Sequence, residues 1–201
     1  MIPEESKGEN LLETLLLMSL AVLWLIVLVN LVLTFALIRK VNASNARTDT
    51  ASRVGGLEPG SEAPDFTVQT LTGETVTRAT YAGRSVAFLF VSAQCQPCRT
   101  LLPEIVPLAS GAAHAGVDLV LVSRSDQEAT RGFIEEMQIH LPVLIAPYDS
   151  NPFLKDYQAR ATPSYCLINE KGKVQSAGYP KGGDWDTLAK SWSRQGQALP
   201  A

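Results

Sequence analysis

Cys95 and Cys98, in Cys95-Gln96-Pro97-Cys98, are the side chains of this sequence whose type and spacing point most directly to chemistry. A pair two residues apart can cycle between dithiol and disulfide. An apolar run at 86–91 (VAFLFV) ends just before the pair and reads as a strand buried on both faces. A short turn and a helix opening at Gln96 or Pro97 follow, which places the first sulfur at a helix N-terminus. Unpaired backbone N–H groups and the positive end of the helix dipole favour a thiolate there. Such settings commonly bring a thiol pKa from about 8.5 towards about 7 or below. Cys95 is thus expected to be the exposed nucleophile, and Cys98, one turn further in, the buried resolving thiol. Pro97 suits a first helical turn, where a missing N–H costs nothing. Arg99 adds positive charge that would favour the thiolate further.

A zinc half-site is one competing reading of the pair. It needs two more ligands, and His114, His140 and Cys166 form no second paired motif, so no metal is expected. The other is a pair of ordinary core cysteines, which fits a strand-to-helix junction less well than redox use. Cys166 itself reads as a small buried hydrophobe. His114 and His140 read as surface or helix-end residues. Three cysteines are too few for a disulfide scaffold, and a net charge of -3 gives no basis for binding nucleic acid.

The surrounding elements alternate. Residues 66–71 and 74–77 alternate in polarity about Thr72-Gly73 and read as a hairpin. Apolar residues at helical spacing fill 101–109, with Pro103 and Pro107 as a first-turn residue and a kink. A second buried strand is expected at 117–122, a helix at 128–138, a short strand at 143–146 and a short helix at 151–159. A hairpin is expected at 164–168 and 173–177. A last helix at 184–193, capped by Asp184, would carry Trp185, Leu188 and Trp192 on one stripe. This order implies an α/β sandwich with a mixed central sheet flanked by helices.

Residues 15–38 carry no charge. At about 1.5 Å per residue the run reaches roughly 36 Å, enough to cross a hydrocarbon core of about 30 Å. A cleaved signal peptide competes, with Val41-Asn42-Ala43 loosely resembling a cleavage site, but its apolar region would be about 7–15 residues. A retained anchor is the better reading. The organisation expected is a tail at 1–10, a transmembrane anchor at 11–38, a flexible linker at 39–56, the folded domain at 57–195 and a tail at 196–201. Arg39, Lys40 and Arg47 follow the span and would by charge alone put the domain in the cytoplasm. Disulfide chemistry argues for the outside, and an extracytoplasmic domain on a single-pass anchor is the expectation.

Several motifs in order resemble the thioredoxin-like redoxins, in particular the membrane-anchored TlpA/ResA type, with some likeness to MauD, the methylamine-utilisation accessory protein. They are residues 60–66 (GSEAPDF) with 71–76 (LTGETV), residues 88–99 (FLFVSAQCQPCR) with Leu102-Pro103, residues 161–165 (ATPSY) and residues 168–174 (INEKGKV). The resemblance covers 57 to about 194 and implies a thioredoxin-like fold. It also implies a cis Pro163 facing the cysteine pair, with the Thr162 backbone open to an extended substrate. The sequence departs from the pattern at Gln94, where many members carry Trp before the first cysteine. It departs again at Leu89 and Leu101, where thioredoxins and ResA-type proteins respectively carry an acid near the second cysteine.

The function expected is thiol-disulfide exchange with extracytoplasmic protein thiols and disulfides, in maturation of a cytochrome or dehydrogenase subunit. It needs no bound cofactor, only a membrane or extracytoplasmic redox partner. A peroxidase of the peroxiredoxin kind shares the Pro64-Asp65-Phe66 opening; Ser92 could stand for its threonine, but Phe88 replaces its proline and a cysteine three residues on favours exchange. A non-catalytic, membrane-tethered maturation factor binding a client at Thr162-Pro163 is the third reading.

Overall fold

The computed structural model describes Leu15, residues 17–34 and residues 55–197. The expected tail at 1–10, the flanking Arg39, Lys40 and Arg47, most of the linker and the last four residues lie outside the described residues. The chain divides into two compact units, a helical one near the N-terminus and a folded one after it.

The first is helix α1, Leu17–Thr34, with a mean hydropathy of 2.5. Its side chains are exposed throughout, as suits a helix whose solvent is not water: a core helix would bury one face. It is long and apolar enough to cross a membrane.

The folded unit follows from its two apolar runs. Strands β3 (Ser85–Val91) and β4 (Val117–Ser123) pair in parallel, Val86 beside Asp118 through Val91 beside Ser123. Both are almost wholly buried, as central strands covered on two faces must be. β5 (Val143–Ile145) extends the parallel set beside β4. β1 (Thr67–Thr70) and β2 (Thr75–Thr77) form the expected hairpin and join β5 antiparallel. β6 (Ser164–Ile168) runs antiparallel to β3, and β7 (Val174–Gly178) closes that edge. The sheet order is β2-β1-β5-β4-β3-β6-β7.

Helices cover both faces. On one lie α2 (Gln96–Ile105), α3 (Leu108–His114), α4 (Gln127–Glu136) and α6 (Gly183–Gln197), which contribute Cys98, Leu102, Ala112, Phe133, Trp185 and Trp192 to one core. On the other, α5 (Phe153–Asp156) and the segment before β1 cover an aromatic core of Phe66, Phe88, Phe90, Phe153 and Tyr157. α2 and α3 are separate because the chain turns at Val106-Pro107, while Pro103 is accommodated within α2. Gly111 lets α3 and α6 touch: a Cβ there would collide with the Trp192 carbonyl oxygen.

Several local expectations change: the short helix expected at 151–159 is the single turn Phe153–Asp156, and α6 runs on to Gln197, past the expected end at 193 and into the expected tail. Helix α6 starts at Gly183, so Asp184 sits in its first turn rather than capping it. Asp186 accepts the Gly182 N–H instead, at 2.7 Å. The Trp185–Trp192 stripe holds, its rings edge-to-face at 5.7 Å.

Candidate functional site

Cys95 and Cys98 form a disulfide at the carboxyl end of β3, with their Cα atoms 5.2 Å apart. Cys95 is the residue that caps helix α2: its backbone is extended, and its Sγ accepts the Cys98 N–H at 3.1 Å. This is a helix N-cap made by sulfur instead of oxygen. An N–H placed in this way is a donor suited to a sulfur carrying negative charge. Cys98 is fully buried and Cys95 is 9% exposed, so Cys95 is the more accessible sulfur, though less open than the sequence implied. Gln96 and Pro97 are exposed between them, with Pro97 in the first turn.

Thr162-Pro163 comes to the pair from β6. The bond between them is cis, and the Thr162 carbonyl oxygen lies 3.4 Å from Cys95 Sγ. In the disulfide that sulfur has no hydrogen to donate; in the dithiol it does. Sequence separation of 67 residues is thereby closed at the reactive edge.

Arg99 has other work than facing the sulfur. Its guanidinium pairs with Glu136 of α4, donates to the Ala93 carbonyl at 3.2 Å, and lies 5.2 Å from the centre of the Phe133 ring. It ties α2, α4 and the loop before Cys95 together, and Glu136 offsets its charge.

Sequence reading missed a hydroxyl network behind that loop. Ser125 Oγ accepts the Ala93 N–H at 3.0 Å, and Ser123 Oγ accepts the Ser125 N–H at 3.2 Å. The Ser123 and Thr130 hydroxyls meet at 2.7 Å. Ser92 and Ser125 donate to Gln94 Oε1 at 3.2 and 3.4 Å. The signal was available: serines follow two apolar runs, and the carboxyl ends of paired parallel strands lie side by side.

The positions expected to lack an acid are lined with hydrocarbon. Leu89 and Leu101 are buried in the same cluster as Cys98, and Tyr165 pairs with Leu89 from β6. Cys166 points to the other face, into the aromatic core, where burial pushes its thiol up to about 12. Among the described residues, no three His, Cys, Asp or Glu side chains converge as a metal site would require.

Residues 59–177 match the AhpC/TSA family. The chain belongs to that family. The thioredoxin-like protein YneN of Bacillus subtilis is 29% identical over 60% of this chain and 71% of its own. The thiol-disulfide oxidoreductase ResA of Bacillus thuringiensis is 27% identical over 59% of this chain and 68% of its own. A solution structure of a thiol:disulfide interchange protein from Bacteroides sp. superposes with a TM-score of 0.59 at 25% identity, covering 68% of this chain and 91% of that one. The thioredoxin-like fold and the ResA-type resemblance stand; the likeness to MauD rests on the motifs alone. Within the AhpC/TSA family the Cys-x-x-Cys disulfide at a helix N-terminus makes this chain a thiol-disulfide oxidoreductase.

Proposed function

We propose that the chain is tethered to the membrane by α1 and exchanges disulfides with extracytoplasmic proteins, Cys95 acting as nucleophile and Cys98 as resolving thiol. The observation that carries this is the Cys95 sulfur, the more accessible of the two, capping α2 with the Cys98 N–H bonded to it. In the reducing direction, the Cys95 thiolate attacks one sulfur of a substrate disulfide and expels the other as a thiolate, which takes up a proton. Cys98 then loses its proton and attacks Cys95 Sγ, which releases the second substrate sulfur and forms the Cys95–Cys98 disulfide. Two electrons pass from the pair to the substrate; the reverse sequence oxidises a dithiol. The carbonyl edge at Thr162, beside cis-Pro163, supports a role in holding an extended substrate chain against Cys95.

The extracytoplasmic side is favoured because protein disulfides persist there. The organisation proposed is the anchor at 11–38, linker at 39–56 and redox domain at 57–195, with a client such as a cytochrome or dehydrogenase subunit and a membrane or extracytoplasmic redox partner. The peroxidase reading is disfavoured by Ser92, whose hydroxyl turns to Gln94 and Ser125.

Cys98→Ser in the reduced protein is expected to accumulate mixed disulfides through Cys95, visible as thiol-sensitive bands on non-reducing gels. No adduct under exchange conditions would sink the proposal. Peroxide consumption without any disulfide substrate would replace it with the peroxidase, and a cellular role surviving Cys95→Ser would replace it with the non-catalytic maturation factor.

A further inference from the structure

We propose that Asn30 pairs with Asn30 of a second copy of this chain, making a parallel dimer inside the membrane. This rests on the reading of α1 as an anchor. At about 1.5 Å per residue, Asn30 lies about 7 Å from the middle of Leu17–Thr34, inside a hydrocarbon layer about 30 Å thick. Its carboxamide carries two N–H donors and an acceptor oxygen, and no other described residue bonds to that side chain. Thr34 is different: its hydroxyl donates to the Asn30 backbone carbonyl at 2.7 Å, so its polarity is spent within the helix. Lipid tails offer a carboxamide nothing, and a neighbouring helix is what can satisfy it.

The carboxamide chooses a second copy because it is self-complementary. Across a two-fold axis, the N–H of each Asn30 donates to the oxygen of the other, and the same patch serves both chains. The residues in line with it suit a packed seam. Leu20, Leu23, Val27, Asn30 and Thr34 follow at alternating intervals of three and four, the spacing of a left-handed helix pair, and all are exposed on α1. A single asparagine on such a seam also sets register, since any slip separates the two carboxamides. The dimer would bring two copies of the redox unit to one membrane location and raise their effective concentration for shared clients.

The full chain, labelled with donor and acceptor fluorophores and reconstituted in phosphatidylcholine vesicles, gives the test by energy transfer against protein-to-lipid ratio. Wild type is expected to dimerise, Asn30→Leu to weaken dimerisation about tenfold, the scale of interhelical hydrogen bonding in bilayers, and Asn30→Gln to retain most of it. A monomeric wild type, or a dimer indifferent to Asn30→Leu, overturns the proposal. Carbonate extraction separates the failures: a wild-type chain released from vesicles at alkaline pH breaks the anchor reading, and the dimer with it. A chain that stays in the membrane as a monomer breaks the Asn30 pairing alone.

Discussion

On one face of the sheet, Cys95 and Cys98 meet backbone N–H and carbonyl groups at the edge of the fold, backed by serine and threonine hydroxyls. On the other, Cys166 lies among Phe88, Phe90, Phe153 and Tyr157, 1% exposed. The proposed function makes the same side chain reactive in the first setting, whereas burial holds it in its protonated form in the second. Reactivity needs a stabilised anion and access; the aromatic face offers neither. β3 carries both settings at once, with Leu89 and Val91 facing the pair and Phe88 and Phe90 facing Cys166. Alternation along one strand therefore separates a reactive edge from a stabilising core.

The sharpest way to break this division is to damage the aromatic face. Phe153 stacks on Phe66 at 4.1 Å and meets Phe88, Phe90 and Tyr157 edge-on. Phe153→Ala is expected to cost about 3–5 kcal/mol of stability, read in urea melts, while the Cys95–Cys98 reduction potential stays near wild type. A potential that moves with it would show the two faces to be coupled.

Cys166 gives a pH-resolved version. Its thiol, about 9 when free and pushed up to about 12 by burial, keeps its proton in the folded chain after the unfolded chain has lost it. Below about pH 9 both states are protonated and Cys166 makes no difference. From there to about 12 the unfolded state binds fewer protons, so stability falls as pH rises. Cys166→Ala is expected to remove part of that alkaline decline in melts at pH 8 to 11 and to leave exchange activity in place. An unchanged alkaline slope would refute the assignment.

Arg99 tests the reactive edge with the smallest stability effect. The Arg99–Glu136 pair is partly exposed, and such pairs contribute about 0–1 kcal/mol. Arg99→Ala is expected to lower stability by that little but to change the rate of Cys95 alkylation, through the freed Ala93 carbonyl and loop. Thiolate absorbance against pH, with Arg99→Lys as the conservative variant, reads it out. An alkylation profile identical to wild type would make Arg99 a packing residue only.

The parts of the fold legible in the sequence were those written locally. The apolar runs of β3 and β4, the Thr72-Gly73 hairpin and the Cys-x-x-Cys junction each declare themselves within about ten residues, because burial on two faces or turn chemistry dictates composition there. What escaped was long-range. Nothing near Arg99 announces Glu136, 37 residues on, and Ser125 meets the Ala93 N–H only because β3 and β4 lie side by side. The start of α6 escaped for a subtler reason: Asp184 and Asp186 are both plausible caps by type, and the loop geometry at Gly182-Gly183 decides between them.

The placement of Cys166 has a further consequence, for assembly rather than catalysis. Three cysteines admit three pairings. Once β3 and β6 have paired, with Cys166 beside Phe88 and its side chain on the far side from Cys98, two of the three are out of reach without opening the sheet. The topology acts as a proofreader. An oxidant that meets the folded chain can close one bond, and a scrambled product marks a molecule that was oxidised before its strands had formed.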